Sequence, residues 1–111
     1  MVKKVSFSDW QKIDLRVAKI LEVEEIEGAD KLYKFSVDVG PELGKRTIVA
    51  GLKPYYKLED LKGRKIILFA NLAPRTLRGV ESQGMILAAD QDSKAILLNP
   101  IEEIPNGSPV Y

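Results

Sequence analysis

The 111-residue chain contains no cysteine and no histidine. Without cysteine there can be no disulfide, no thiolate nucleophile and no sulfur ligand for a metal. Without histidine, the usual general base near neutral pH is missing. No apolar run approaches the roughly 20 residues that a membrane helix requires, and no signal peptide opens the chain. Neither sign of charge dominates, with 17 basic residues against 16 acidic ones. These gaps turn the reading away from catalysis, structural metal and membrane, and they suit a cytoplasmic protein. At 45% hydrophobic and 30% charged, the composition fits one globular domain over residues 1–111.

The groups that could still do chemistry lack the required surroundings. Glu24-Glu25-Glu27 and Glu102-Glu103 are adjacent acids on turn-like segments. An acid–base pair needs a shielded site that separates its two pKa values, whereas exposed neighbours serve solvation. Asp90-Gln91-Asp92 lacks the further oxygen ligands of a calcium loop. The stretch from Gly40 to Thr47 looks like a phosphate-binding loop, but it has one residue too few between its glycines. It also places Arg46 where serine or threonine should follow the lysine. No catalytic residue, metal or cofactor is therefore expected.

What is present is an uneven distribution of charge. Residues 43–78 hold nine basic groups (Lys45, Arg46, Lys53, Lys57, Lys62, Arg64, Lys65, Arg75 and Arg78) against Glu59 and Asp60. That +7 middle sits between a start of −2 and an end of −4, a footprint suited to a phosphate backbone. A solvated basic face would give the same pattern, and charge alone does not separate the two.

Hydrophobic periodicity supplies the elements. Ser6 to Ile13 suits a short helical lead-in with a serine cap. Leu15 to Glu24 is β-rich but breaks strict alternation, which predicts a bulge near Ala18-Lys19 or burial on both faces. Tyr33, Phe35, Val37 and Val39 alternate with Lys34, Ser36 and Asp38, the pattern of a half-buried strand. A short strand over 46–50, a helix over 53–61 and a continuous apolar strand over 65–70 follow. Strands over 83–89 and 95–98 flank a polar turn. The segment 99–111, with three prolines, is expected to be extended. Short strands with one small helix before the fourth predict an all-β, five-stranded Greek-key barrel of small size. The barrel would span residues 15–98, between extensions at 1–14 and 99–111.

Between two apolar runs lies Asn71-Leu72-Ala73-Pro74-Arg75-Thr76-Leu77-Arg78-Gly79-Val80-Glu81-Ser82-Gln83-Gly84-Met85, a loop carrying two arginines on turn-forming residues. Together with Asp14-Leu15-Arg16-Val17 and Ala29-Asp30-Lys31-Leu32-Tyr33, it resembles the tRNA-binding OB-fold domain of methionyl-tRNA synthetases. That domain forms their C-terminus or β-subunit and also occurs as free-standing tRNA-binding proteins. The resemblance runs from about Phe7 to Tyr111. It implies a module that binds tRNA by shape and phosphate contact and assists aminoacylation without catalysing it, with a synthetase catalytic chain or domain as a candidate partner. A free-standing tRNA-binding protein or chaperone is the alternative. A third is the peptide-binding secretion chaperone of the same fold, which the Ala-Asp-Lys-Leu-Tyr and Ser-Gln-Gly-Met segments match less well.

With the basic residues, the resemblance marks Lys31, Arg46, Lys65, Asn71, Arg75, Arg78, Ser82 and Met85 as tRNA contacts. It also implies a homodimer built from the chain ends, through Phe7, Trp10, Ile101, Ile104, Val110 and Tyr111. Two positions depart from the family pattern. Ile26-Glu27 stands where many relatives have His-Pro, and Ala50 stands where relatives often have serine before Gly-Leu. A lost serine contact would cost on the order of 1 kcal/mol.

Overall fold

The computed structural model describes residues 3–111. In chain order its elements are α1 (Phe7–Trp10), β1 (Leu15–Glu25), β2 (Tyr33–Asp38), α2 (Gly40–Leu43), β3 (Lys45–Ala50), α3 (Leu58–Leu61) and β4 (Lys65–Phe69). Then follow β5 (Arg75–Leu77), β6 (Val80–Ser82), β7 (Met85–Ile86), β8 (Ala88–Gln91), β9 (Lys94–Leu97) and β10 (Pro109–Val110). The main sheet is antiparallel in the order β3-β2-β1-β4-β7. The long β1 serves two neighbours in turn: Leu15 to Lys19 pair with β4, and Lys19 to Glu25 with β2. This bent sheet closes most of the way round into an OB-fold-like barrel with short helices and an extended tail.

Strand β2 shows why the barrel forms where it does. Tyr33, Phe35 and Val37 point inward and are buried, while Lys34, Ser36 and Asp38 take the outer face. Phe35, Ile20, Ile48, Leu61, Ile66 and Leu68 are fully enclosed. Burying each such side chain contributes about 1.5–3 kcal/mol. Tyr33 packs edge-on against Phe35, with ring centroids 6.1 Å apart, and its hydroxyl donates to the Tyr56 carbonyl at 2.8 Å.

Several elements differ from the sequence expectation. The β1 irregularity lies between Ile20 and Glu22 rather than at Ala18-Lys19, just past Lys19, where the pairing with β4 ends and β2 alone continues. The expected helix over 53–61 shrinks to α3, since Pro54 and the Leu52–Tyr56 turn occupy its first half. The apolar run of β4 is buried on one face only, with Ile67 and Phe69 half-buried on the other. The 83–89 strand breaks into β7 and part of β8, and the arginine loop contains a hairpin of its own, β5–β6.

The tail completes the sheet. β2 leaves β1 at Asp38, and β10 takes the vacated edge, pairing Leu15 with Val110 and Arg16 with Pro109. Arg16 fixes this junction. Its Nε donates to Asp14 at 2.6 Å, and its other nitrogens reach Glu42 and the Gly107 carbonyl, each at 3.2 Å. The hydrogen bond to Asp14 is the main reason its pKa is raised. Gly40 and Gly107 touch backbone to backbone. A Cβ on Gly40 would lie 2.5 Å from the Asn106 carbonyl, and the φ of +90° disfavours any side chain there.

Candidate nucleic-acid interface

The interface begins where the barrel closes. β3 and β7 lack a regular ladder, and the Ser82-Gln83-Gly84 segment bridges the gap. The Ser82 hydroxyl accepts from the Val49 amide at 2.9 Å and donates to the Gly84 carbonyl at 3.1 Å. The Gln83 side-chain oxygen accepts from the Thr47 amide at 2.9 Å, and the Gln83 backbone amide donates to the Thr47 carbonyl at 2.8 Å. Gly84, at φ +144°, lies so close to β4 that a Cβ would sit 2.9 Å from the Phe69 carbonyl. Side chains here do the work that ladder amides do elsewhere.

From this closure the β5–β6 hairpin projects. Its two-residue turn is Arg78-Gly79, with φ +52° and +79°, the sign pattern of a type I′ turn. A left-handed arginine is uncommon, because its Cβ crowds the carbonyl. The turn therefore holds Arg78 at the hairpin tip at some conformational cost. Arg75 stands at the other end of β5, opposite Ser82. Both arginines are exposed, and neither has an ion-pair or side-chain hydrogen-bond partner among the described residues.

Two depressions flank the hairpin. A mostly apolar slot of about 50 Å³ is lined by Val49, Leu72, Ala73, Arg75, Leu77, Ser82, Gly84 and Met85. An open cleft of about 330 Å³ on the other side is lined by Lys34, Thr47, Gly79, Val80, Glu81 and Gln83. Lys34 is a functional candidate that sequence reasoning missed. Its place on the outer face of β2 was evident from the alternation, but its nearness to the hairpin depends on tertiary folding.

The fold treats the other expected contact residues differently. Asn71 ties the N-terminal extension to the barrel: its Oδ1 accepts from the Asp14 amide at 2.8 Å, and its Nδ2 donates to the Lys12 carbonyl at 2.6 Å. Arg46 donates to the carbonyls of Ala70 and Gln83. Lys65, at the far end of β4 from Met85, holds the tail by donating to the Ile104 carbonyl and pairing with Glu103 at 2.7 Å. That lysine holds the Glu103 carboxyl below its ordinary value. Lys31 is exposed in the loop before β2, beside Gly51. Lys53 pairs with Glu25 at 2.7 Å, which raises the lysine's pKa, and Lys62 pairs with Glu22 at 3.3 Å. Three of the nine basic groups of the stretch are thus paired with acids and Arg46 and Arg64 are held by carbonyls, while the two hairpin arginines keep their side chains uncommitted.

The expected dimer residues fall into two places. Phe7, Trp10, Val110 and Tyr111 line one groove of about 480 Å³ together with Ile13, Leu15 and Pro109. Ile101 is 99% exposed and lies apart, beside Lys65 and Asn99. Ile104 is half-buried.

A small antiparallel barrel with an arginine-tipped hairpin beside an apolar slot has the layout of a nucleic-acid-binding OB module. The chain belongs to the putative tRNA binding domain family, whose pattern it matches over residues 15–109. It is 55% identical over 106 residues to the methionine–tRNA ligase of Pyrococcus furiosus, a match covering 96% of this chain and 14% of the ligase. The chain thus spans about one-seventh of the length of such curated relatives. In structure it is similar to a MetRS-related protein from Pyrococcus horikoshii, with TM-score 0.91 and 34% identity over 99% of this chain and all of that one. It is also similar to the chaperone CsaA from Bacillus anthracis, with TM-score 0.89 and 28% identity over 98% of this chain and all of that one.

Proposed function

We propose that the chain is a non-catalytic tRNA-binding module that serves methionyl-tRNA synthetase in the cytoplasm, as a domain of the enzyme or as a separate subunit. The observation that carries this reading is the pair of unpartnered arginines on the β5–β6 hairpin, in a chain of this family. Arginine presents a planar fork of donors matched to phosphate oxygens. Lys34, in the cleft beside the hairpin, adds charge nearby that it shares with Glu24 at 3.8 Å, and Lys31 adds an exposed charge in the loop before β2. Arg46, Asn71 and Ser82 fix backbone where the barrel closes, Lys65 holds the tail at the other end of β4, and Met85 lies at the apolar side of the site. A rigid rim of this kind selects a folded RNA by shape, while phosphate contacts supply affinity. Held beside a catalytic domain, the module raises the effective tRNA concentration there.

The test is filter binding of tRNA across a salt series. Each neutralised phosphate should contribute roughly −0.7 to −0.9 to the slope of log K against log salt. Arg75→Ala and Arg78→Ala should each weaken binding and flatten the slope by about one unit or less. Salt-independent affinity, or none for tRNA at low salt, would refute the reading.

The groove formed by Phe7, Trp10, Val110 and Tyr111 favours a homodimer, while Ile101 and Ile104 lie apart from it near Lys65. Phe7 is 70% and Tyr111 95% exposed, and a two-fold contact would cover the same patch on both copies. Full-length coverage of the MetRS-related protein supports a free-standing form as the second reading. Light scattering should give about twice the chain mass of 12.4 kDa, and a monomer at all accessible concentrations would exclude the dimer.

A further inference from the structure

We propose that the slot under the β5–β6 hairpin receives one unpaired nucleobase of the bound RNA, gripped between Met85 and Arg75. The inference rests on the tRNA-binding reading and gives it a second kind of contact. At about 50 Å³ the slot is far below the roughly 300 Å³ at which small-molecule pockets begin, so it admits one face or edge of a flat group. Its walls are apolar: Leu72, Ala73, Leu77 and the side chain of Met85, which is 44% exposed although it sits next to the core strand β4. Thioether sulfur is polarisable and favours contact with aromatic rings. Arg75 closes the rim, and an unpartnered guanidinium can stack on a base while its charge faces phosphate.

The slot also shows how the base would be read. Ser82 lines it, but that hydroxyl is committed to the Val49 amide and the Gly84 carbonyl. The arginine is therefore the one free side-chain hydrogen-bond donor among the lining residues. A site of this composition stacks a base without reading its Watson–Crick edge, so it is tolerant of base identity and demands only that the base be unstacked. Duplex RNA keeps its bases paired and offers nothing to the slot. Discrimination of a folded RNA from a helix then follows from one pocket, beside the phosphate contacts at the hairpin tip. An apolar peptide side chain could enter the same space, but it would make no use of the arginine rim.

The test compares two polyanions, tRNA and inorganic polyphosphate, on the full chain and its variants. Met85→Ala should weaken tRNA binding about 3- to 10-fold, leave the salt slope unchanged and leave polyphosphate affinity unchanged. Met85→Leu keeps the bulk and should stay within about twofold of the parent chain. Arg78→Ala should weaken both ligands and flatten both slopes. No loss for Met85→Ala on tRNA, or an equal loss on both ligands, would overturn the slot while leaving the tRNA reading intact. An unfolded polypeptide that displaces tRNA from the parent chain but not from Met85→Ala would assign the slot to peptide and also overturn it. A parent chain that binds tRNA no better than polyphosphate would overturn both the tRNA reading and the slot.

Discussion

Replacing Ser82 by alanine should weaken the fold and spare the RNA contact. The Ser82 side chain is 5% exposed, and its hydroxyl joins β6 to β3 through the Val49 amide. Alanine would leave that buried amide without an acceptor, which costs about 1–3 kcal/mol, and would free the Gly84 carbonyl as well. A mid-range loss of about 2 kcal/mol is roughly 30-fold in the folding equilibrium. For a domain near 100 residues, each kcal/mol shifts the midpoint by roughly 4–8 °C, so Tm should fall by about 10 °C. Thermal unfolding followed by circular dichroism measures this directly. Filter binding at a temperature where the variant remains folded should give tRNA affinity within about twofold of the parent. An unchanged Tm together with lost tRNA binding would show that the hydroxyl contacts RNA and that the barrel closure does not depend on it.

Two further outcomes follow from the same geometry. Arg78→Asn places a residue that tolerates left-handed φ in the hairpin turn, so it should raise stability by up to about 1 kcal/mol while weakening tRNA binding, read by paired denaturation and filter-binding curves. Because Lys65 depresses the Glu103 carboxyl, the pair's contribution is fully present above the ordinary value of 4.5 and is lost as pH falls through the lowered folded value. Protection factors of the tail amides, which are exchange rates corrected for the intrinsic slowing of exchange in acid, should therefore fall on acidification, and Glu103→Gln should remove that dependence.

Elements governed by local pattern were legible in the sequence. The alternation from Tyr33 to Val39 gave strand β2 and its buried face, and the broken alternation after Leu15 gave a strand with an irregularity. Proline and polar residues marked the tail as extended. Features that depend on distant partners were not legible. Nothing local in Ser82-Gln83-Gly84 says that its side chains replace a ladder with β3, because Val49 and Thr47 lie more than thirty residues away. Asn71 reads as a turn residue until the Lys12 carbonyl and the Asp14 amide are placed beside it. The basic stretch of residues 43–78 looked like one patch. The fold separates it, because Lys53, Lys62 and Lys65 each meet a glutamate supplied from elsewhere in the chain. The left-handed turn at Arg78 was half visible, since Gly79 marked a turn but arginine is not a residue that advertises positive φ.

The tail strand has a consequence for the order in which the molecule is assembled. Arg16 binds the Gly107 carbonyl across 91 positions of sequence, and Val17 exchanges backbone hydrogen bonds with Gly107 and Ser108. Closing a loop of that length costs roughly 4 kcal/mol of chain entropy by ideal-chain scaling. During synthesis β1 therefore waits with an open edge beyond Asp38 until residues near 110 are available, and the sheet gains its last strand only then. A circular permutant that joins the ends and reopens the chain at the Asp92-Ser93 turn brings Arg16 and Gly107 from 91 to about 20 positions apart. In exchange it parts β8 from β9 and makes their pairing long-range, so faster folding of the permutant would mean that docking the tail, and not the hairpin, limits the rate.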